Sequence, residues 1–373
     1  MRIVNLVENT EGRAGCGAEH GLSFYIETEH HKLLMDTGQS GLFIQNAEKL
    51  GIDLTKVDTV VLSHGHYDHG GGILPFAEIN RNAKIYVPEA AFGDYYSVNK
   101  DGEPHYIGLA KEIQELSQIV LVEPGNDICR IDDELSLFSG IGNEHPIPST
   151  NRRLKVKTEE GLVQDDFGHE QCLVISEGDK KALLSGCAHH GILNVLERYY
   201  ELYGGDPDVV ISGFHMMRKN GYPDEDINMI IDTALELRGY QTVFYTGHCT
   251  GVEPYTAMKK LMGDQLQYVH SGDEIRIRTK LDNIMWNAEE RAASGNAEEQ
   301  AASGNEEDQT PSTNAESGNT VDSGFGYAED EKVEYAREAA GKKRREYMKW
   351  HKFFAWGTVA CFVLTMVTGY KRK

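Results

Sequence analysis

Short apolar runs rich in β-branched residues alternate with longer amphipathic stretches through the first 280 positions of the chain. The short runs predict buried strands, and the stretches with a helical period predict helices. Such an alternation is typical of α/β proteins, in which helices cover the faces of a sheet. The predicted strands lie at 32–36, 57–62, 83–87, 172–176, 181–185, 208–212 and 241–245, and the predicted helices at 40–50, 190–203 and 223–238.

The hydrophobic pattern changes near residue 286, and large apolar side chains are rare over residues 287–331. Residues 288–296 read AEERAASGN and residues 297–305 read AEEQAASGN, an imperfect repeat with no hydrophobic residue larger than alanine. Such a segment buries too little apolar surface to offset the loss of chain entropy on folding. We therefore predict that residues 1–280 form one folded domain and that residues 287–331 form a disordered acidic linker.

A second apolar segment lies near the end of the chain. Residues 353–370 read FFAWGTVACFVLTMVTGY, eighteen positions without a charge, and they follow a basic segment at 332–352. A helix of this length is about 27 Å long, close to the roughly 30 Å hydrocarbon core of a bilayer. We therefore predict a C-terminal transmembrane helix. More basic residues precede this segment than follow it, which favours a cytoplasmic location for the folded domain.

Composition and charge narrow the functional classes. The 373 residues carry a formal net charge of −22, an excess of acidic groups that disfavours nucleic-acid binding by the chain as a whole. The six cysteines are widely separated, without a spacing typical of a disulfide framework. The first residues, MRIVNLVENTEG, contain no apolar core long enough for a secretory signal. These features favour a reducing, cytoplasmic setting for the folded domain.

One short stretch concentrates residues that bind metals. The segment SHGHYDHGGG at 63–72 follows a predicted strand and contains His64, His66, Asp68 and His69 within six positions. Residues two apart face away from each other on a helix, but they can converge on a loop that leaves a strand. Neutral imidazole suits zinc, and carboxylate suits harder divalent cations. The spacing indicates two pairs of ligands, His64 with His66 and Asp68 with His69, and hence two metal ions.

The sequence HGHYDH resembles the H-x-H-x-D-H signature of the metallo-β-lactamase superfamily. LLMDTGQS at 33–40 resembles the strand and turn that precede this signature in the superfamily. Five further stretches resemble one branch, which includes the dihydropterin-6-methyl-(ribofuranosyl)aminobenzene-phosphate synthases. They are EHGLSFYIE at 19–27, NAEKLGIDLTKVDTVVLSHGHYDHGGG at 46–72, SGCAHHGILN at 185–194, SGFHMM at 212–217 and YTGHCTG at 245–251. The resemblance covers about residues 1–280 and implies a four-layer αβ/βα sandwich.

The resemblance also implies metal ligands from the second half of the domain. His248 matches the last metal histidine of the superfamily, and His189 in GCAHHG matches the branch pattern. His169 lies where many members place the third histidine of the first metal, so His169 and His189 compete for one role. Many members have Gly-Asp where this chain has Gly186–Cys187, and some have a zinc-binding cysteine there. Cys187 is therefore either a thiolate ligand that favours zinc or a small buried hydrophobic residue.

The implied cofactor is a pair of divalent cations, with zinc favoured. Such a centre polarises a phosphoryl or carbonyl oxygen and activates water. Asp68 would hold one cation and accept a hydrogen bond from the nucleophile, and His215 in GFHMM would donate a proton to the leaving group. Alternatively, His215 is a core residue at the start of a helix. The basic cluster RRLKVK at 152–157 either forms a solvated strand face or binds a substrate phosphate.

These observations predict a metal-dependent hydrolase or transferase that acts on a small, phosphorylated molecule. For the branch that the chain resembles, the reaction is transfer of a pterin-methyl group with release of pyrophosphate. Two alternatives remain, a nucleic-acid-processing metallohydrolase and a non-enzymatic scaffold tethered to the membrane. The acidic net charge disfavours the first alternative. The complete HxHxDH sequence disfavours the second, because a scaffold has no need of four metal-binding side chains.

Overall fold

The structure, a computed structural model, describes residues 1–13, 15–125 and 128–279. Eighteen strands and six α-helices lie within these residues. The strands are β1 (Arg2–Val7), β2 (Ser23–Glu27), β3 (Lys32–Met35), β4 (Thr59–Val61), β5 (Lys84–Pro88), β6 (Tyr95–Val98), β7 (Pro104–Tyr106), β8 (Ile119–Val122), β9 (Cys129–Arg130), β10 (Leu135–Phe138), β11 (Leu154–Thr158), β12 (Gly161–Gln164), β13 (Cys172–Glu177), β14 (Lys180–Leu184), β15 (Val209–Ile211), β16 (Val243–Thr246), β17 (Leu266–Tyr268) and β18 (Glu274–Arg276). The helices are α1 (Leu42–Lys49), α2 (Tyr67–Gly70), α3 (Ile73–Ile79), α4 (Ile192–Tyr203), α5 (Asp224–Leu237) and α6 (Val252–Met262).

Two seven-stranded sheets carry the fold. The first has the strand order β18-β1-β2-β3-β4-β5-β8, and the second has the order β17-β16-β15-β14-β13-β10-β9. Strands β3, β4, β5 and β8 are parallel in the first sheet, as are β14, β15, β16 and β17 in the second. The carboxyl ends of parallel strands lie along one edge of a sheet, so the loops that follow β3 and β4, or β14, β15 and β16, are neighbours.

Three buried apolar clusters separate the layers of this fold. Side chains such as Leu33 and Val61 from the first sheet pack with Leu173 and Ile211 from the second, which joins the two sheets face to face. A second cluster packs α1 and α3 on the outer face of the first sheet, and a third packs α4, α5 and α6 on the outer face of the second. The four-layer αβ/βα sandwich is therefore confirmed.

Each strand and helix predicted from the sequence overlaps an observed one, although the boundaries differ by up to two residues. One of these differences concerns β4, which begins at Thr59 rather than at residue 57. A 3-10 helix at Leu54–Lys56 precedes it, because the Asp53 carboxylate accepts a hydrogen bond from the Thr55 amide (3.0 Å) and caps this turn. The turn uses residues that would otherwise extend the strand.

A small four-stranded sheet, in the order β12-β11-β6-β7, has no counterpart among the predicted elements. The basic cluster at 152–157 lies at its edge and on β11. Arg152 forms an ion pair with Glu225, and the Lys155 ammonium donates to the Gln164 side chain (3.0 Å). Arg153 is exposed and makes no hydrogen bond or ion pair with the residues that the structure describes. Most of the cluster is therefore a solvated surface, on which the exposed Arg153 and Lys157 side chains make no ion pair with the described residues.

The predicted linker at 287–331, the basic segment at 332–352 and the predicted transmembrane helix at 353–370 lie outside the described residues. They stay predictions from the sequence. Among the helices that the structure describes, none is long and apolar enough to span a bilayer.

Candidate metal centre

The loop after β4 changes direction twice within seven residues. His64 and His66 lie in the extended part of this loop, and Asp68 and His69 lie in the short helix α2 that follows it. The chain passes so close to a neighbouring segment that a Cβ atom on Gly65 would lie 2.4 Å from the Ala91 carbonyl oxygen. Only glycine fits at this position. The change from extended to helical backbone turns all four ligand-type side chains toward one space.

A first group of ligand atoms comes from both halves of the domain. His64, His66 and His189 are buried, and their ligand atoms lie within 4.8 Å of one another. The Nε2 atoms of His64 and His189 are 3.3 Å apart. Two nitrogens bound to one tetrahedral zinc ion, each at about 2.0–2.1 Å, would be about 3.3 Å apart. The His66 Nε2 atom is buried without a hydrogen-bond partner, a cost that a bound cation would remove.

A second group surrounds the Asp68 carboxylate. Its Oδ2 atom lies 3.5 Å from the Nε2 atom of His248 and 3.8 Å from that of His69. The buried His248 Nε2 atom has no hydrogen-bond partner. The half-exposed ring of His20 lies at the mouth, with its Nε2 atom 3.3 Å from the same carboxylate oxygen. This group supplies the mixed carboxylate and imidazole ligands that a second divalent cation requires.

Cys187 lies between the two groups. Its sulfur is 3.2 Å from the Nε2 atom of His69, and it also belongs to a group with His189 and His215. A third group combines Cys187 with His248 and Cys249. The thiol is 3 % exposed, and this burial raises its pKa well above the ordinary value. The position between two imidazole groups fits a ligand better than a small hydrophobic residue, because a bound cation would displace the thiol proton into solvent and stabilise the thiolate.

Four of the histidines have a hydrogen-bond partner at Nδ1, the outer ring nitrogen, which lies on the side away from the centre. In each case a side-chain oxygen lies within hydrogen-bond distance of Nδ1. When that atom carries the ring proton, the lone pair of Nε2 points into the centre. Outer partners of this kind orient metal-binding histidines and increase their basicity. The pairs are Ser63 with His64 (2.8 Å), Asp36 with His69 (2.7 Å), Asn151 with His189 (3.0 Å) and Asn9 with His248 (2.8 Å).

Asp36, the partner of His69, had no role assigned to it from the sequence. It follows β3 in a left-handed conformation (φ 61°), and its carboxylate also accepts hydrogen bonds from the Ser63 amide and hydroxyl (both 2.7 Å). The aspartate therefore fixes the start of the ligand loop as well as the ring of His69. Its place in LLMDTGQS was the available signal, because that turn precedes the ligand loop on the neighbouring strand.

The structure separates the two histidines that compete for one role. The Nδ1 atom of His169 accepts a hydrogen bond from the Gly65 amide (2.9 Å), and its Nε2 atom lies 3.1 Å from the Asp165 carboxylate. Both ring nitrogens of His169 thus have protein partners, whereas His189 keeps Nε2 for the centre. The geometry favours His189 as the ligand and gives His169 the task of fixing the ligand loop at Gly65.

His215 lies beside the centre on the loop that follows β15. Its ring centroid is 4.2 Å from that of His189, and both of its ring nitrogens are buried without a hydrogen-bond partner. The backbone has a positive φ of 51° at this residue. Helix α5 begins only at Asp224, so the interpretation of His215 as a helix-start residue is wrong. A role as proton donor stays a prediction, and the position is compatible with it.

Burial and neighbouring charges set the protonation of the ligand side chains. Burial lowers the pKa of His64 and His189 well below the ordinary value, and it lowers that of His66 to about 3. Burial acts in the same direction on His69, but Asp36 and Asp68 outweigh it and raise the His69 pKa to about 9. For Asp68, burial would raise the pKa, but the neighbouring imidazoles lower it. Neutral imidazoles and an ionised carboxylate are the forms that bind cations, so His69 must release its proton when a cation binds.

Comparison with known proteins agrees with this geometry. Two relatives from Methanocaldococcus jannaschii align with this chain over almost their whole lengths. An uncharacterized protein is 29% identical over 277 residues, which cover 73% of this chain and 98% of the relative. A 7,8-dihydropterin-6-methyl-4-(beta-D-ribofuranosyl)-aminobenzene-5'-phosphate synthase is 28% identical over 295 residues, which cover 74% of this chain and 96% of the relative.

A solved structure gives the same result for the fold. The crystal structure of a metal-dependent hydrolase of the beta-lactamase superfamily superposes with a TM-score of 0.62 and 26% sequence identity, over 75% of this chain and 100% of that one. Residues 16–220, more than half of the chain, match the metallo-beta-lactamase superfamily and include the whole ligand loop. With the loop, the sandwich and this match in agreement, the chain belongs to the metallo-β-lactamase superfamily.

Proposed function

We propose that the chain is a metal-dependent enzyme that transfers or hydrolyses a group on a small, phosphorylated molecule. The observation that carries this proposal is the set of four buried histidines with a side-chain oxygen at Nδ1 and with Nε2 directed inward. A packing role would not require the same orientation at His64, His69, His189 and His248. Both reaction classes occur among similar proteins, since one relative is named as a synthase and the similar solved structure as a hydrolase.

The residues present fit two divalent cations, of which zinc is favoured. His64, His66 and His189 would hold one cation, and Asp68, His69 and His248 the other, with Cys187 between the two groups. When bound, such cations polarise a phosphoryl or carbonyl oxygen and stabilise a departing anion. The ligand loops exclude bulk water from one side of the centre, because every proposed ligand residue is buried.

Two side chains of the protein would act on the substrate. The Asp68 carboxylate remains ionised and accepts a hydrogen bond from the nucleophile, which orients it for attack. His215 has two free ring nitrogens beside His189, so it can hold a proton and deliver it to the leaving group. This assignment separates metal binding from proton transfer, and a His215 variant should therefore keep its metal.

Arg153 supports a phosphorylated substrate. Its guanidinium lies close enough to Tyr67, the residue before Asp68, to act against the burial that raises the Tyr67 pKa. A free cation near the mouth of the centre suits a phosphate group, which needs a local positive charge in a domain with an acidic surplus. For the pterin-type reaction, this charge would hold the diphosphate that leaves as pyrophosphate.

The test combines metal analysis with a substrate screen. We expect elemental analysis of the purified full-length chain to find two equivalents of a transition metal, and we expect turnover of a phosphate ester or diphosphate. His66→Ala should lose metal and activity together, whereas His215→Ala should lose activity alone. Release of pyrophosphate that depends on an added arylamine would identify a transferase. A correctly folded protein that binds no transition metal stoichiometrically would overturn the proposal and favour the scaffold.

A further inference from the structure

Of the four buried cysteines in the described chain, Cys16 lies beside Gly272, and the other three have two kinds of surroundings. Cys172 packs inside the apolar cluster between the second sheet and its helices, as a small hydrophobic residue does. Cys187 and Cys249 are equally buried, at 3 % and 4 % exposure, yet they belong to none of the apolar clusters that the described residues form. Their sulfurs group instead with the unpaired Nε2 atom of His248, all within 4.8 Å. The two thiols thus border the metal centre.

A tight turn places Cys249 at the centre. The 3-10 turn at His248–Thr250 begins with a positive φ of 49° at His248, and the Glu8 carboxylate accepts the His248 amide (2.9 Å). A positive φ at a residue other than glycine is unfavourable and persists only where the surroundings enforce it. The result is that two consecutive side chains, His248 and Cys249, both face the ligand groups. Neither a helix nor a strand would give this arrangement.

The neighbouring strand end leaves room for the sulfur. A Cβ atom on Gly213 would lie 2.4 Å from the Cys249 sulfur, so any larger residue at position 213 would displace it. The hydrogen bond that the structure shows for this sulfur is a long contact of 3.7 Å to the Cys187 carbonyl oxygen. A thiol is a weak donor, and this contact does little to hold it. The other polar neighbours of this sulfur are the Cys187 and His215 side chains, which themselves border the ligand groups.

We propose that Cys249 is a further metal ligand of the centre, so that Cys187 and Cys249 together offer two thiolates. This inference rests on the metal centre of the proposed function. Each thiol that binds a cation loses its proton to solvent. Soft sulfur ligands select zinc over magnesium and manganese, whereas the imidazole and carboxylate ligands alone discriminate less. The pair of thiolates would therefore give this site its metal preference.

The test uses Co²⁺ as an optical probe in the full-length chain. Cobalt bound by thiolate sulfur absorbs in the near ultraviolet through charge transfer, and the intensity grows with the number of sulfur ligands. We expect this band in the wild-type protein, about half of its intensity in Cys187→Ser and in Cys249→Ser, and none in the double variant. Cys172→Ser is the matched control, because it removes a buried thiol of the apolar core and should leave the band unchanged.

The outcomes are distinguishable. A full band in Cys249→Ser, together with its loss in Cys187→Ser, would overturn the inference and leave a single thiolate. Stoichiometric cobalt without a band in the wild type would also overturn it, while the proposed function would survive. Absence of any bound cobalt would overturn both. If a serine variant fails to fold, as judged by circular dichroism, alkylation settles the question: bound cobalt should slow modification of Cys249 in the wild type at least tenfold, and an unchanged rate would contradict ligation.

Discussion

At the scale of single residues, the hydrogen-bond partners on the outer ring nitrogens of the candidate ligands differ in charge. His69 receives its partner from a buried carboxylate, Asp36, whereas His189 and His248 receive theirs from amide side chains. A carboxylate partner increases the basicity of the imidazole more than an amide does, because the negative charge stabilises positive charge on the ring. Asp36 should therefore matter more for metal affinity than its distance from the centre suggests.

Replacement of Asp36 by asparagine tests this point. Asparagine tolerates the left-handed backbone at this position, so the Asp36→Asn variant keeps the turn and loses the charge. We expect metal affinity to fall about 10–100-fold, as measured by competition with a chromophoric chelator. Asp58→Asn is the matched control, because Asp58 makes a similar contact with His31 (2.8 Å) at the surface. Equal affinity in the wild type and in the Asp36→Asn variant would show that the ring of His69 needs no charged partner.

The depressed pKa of His66 predicts acid sensitivity of the metal-free protein. Its folded pKa of about 3 lies below the ordinary value of 6.5, so the unfolded chain binds the extra proton between these pH values. The free energy of unfolding should therefore fall as the pH drops from about 6.5 toward 3, by a total on the order of 5 kcal/mol from this residue. Urea unfolding of chelator-treated protein at several pH values measures the slope.

The variant His66→Gln should have a flatter pH profile, since glutamine does not titrate. His30→Gln, at an exposed position, serves as the control and should reproduce the wild-type slope. Parallel profiles for the wild type and His66→Gln would mean that burial of this imidazole does not make folding sensitive to acid.

At the scale of elements, the close approach of two strand-end loops fixes the distance between ligand groups. Gly186 lies in the bend after β14, directly before Cys187, and a Cβ atom there would lie 2.2 Å from the Ser63 hydroxyl oxygen and 3.1 Å from the His64 Nδ1 atom. Ser63 is short and is held by Asp36, so it has no room to move away. The contact between these loops therefore requires glycine.

Gly186→Ala should push the two loops apart. We expect a loss of about 1–3 kcal/mol in the free energy of unfolding, typical of overpacking, together with weaker metal binding. Gly41→Ala is the control, because its added Cβ would meet only the Pro75 side chain at 3.9 Å. Denaturant unfolding and a metal titration measure the two effects. If the alanine variant matched the wild type in both, the loops would have more freedom than the structure indicates.

The sequence predicted the elements that carry the ligands, but not all of the ligand geometry. The strands before Asp36, His64, Cys187 and His248 follow from apolar runs, and the fold follows from their order. The choice between His169 and His189 did not, because both lie on loops near the same strands and only their hydrogen-bond partners separate them. Likewise, the sequence predicted no role for Cys249, because the left-handed turn that directs this side chain inward does not change the pattern of apolar and polar residues.

At the scale of the whole molecule, the C-terminal segment at 332–370 predicts that the protein is located at a membrane. The apolar run at 353–370 and the basic segment before it lie outside the described residues, so this prediction depends on the sequence alone. We expect the full chain to sediment with membranes and to stay there in high salt. Deletion of 333–373 should release it into the soluble fraction, because no other predicted span remains. Deletion of 287–331 is the control and should leave the protein on the membrane.

A full-length chain that remains soluble without detergent would contradict the anchor. The metal centre would be unaffected by that result, since every ligand-type residue discussed above lies within the described domain.

The division of ligands between the two halves of the domain has a consequence for synthesis. His248 follows His69 by 179 residues in the chain. A ribosome that adds about 5–20 residues per second needs about 10–35 s to cover that interval. During this interval, the four candidate ligands of the loop after β4 have been synthesised, but those of the second half of the domain have not. The four side chains alone cannot form the centre proposed for the complete domain. The proposed centre therefore has its complete ligand set only after His248 has been synthesised, and cation binding by both halves of the domain would follow that point.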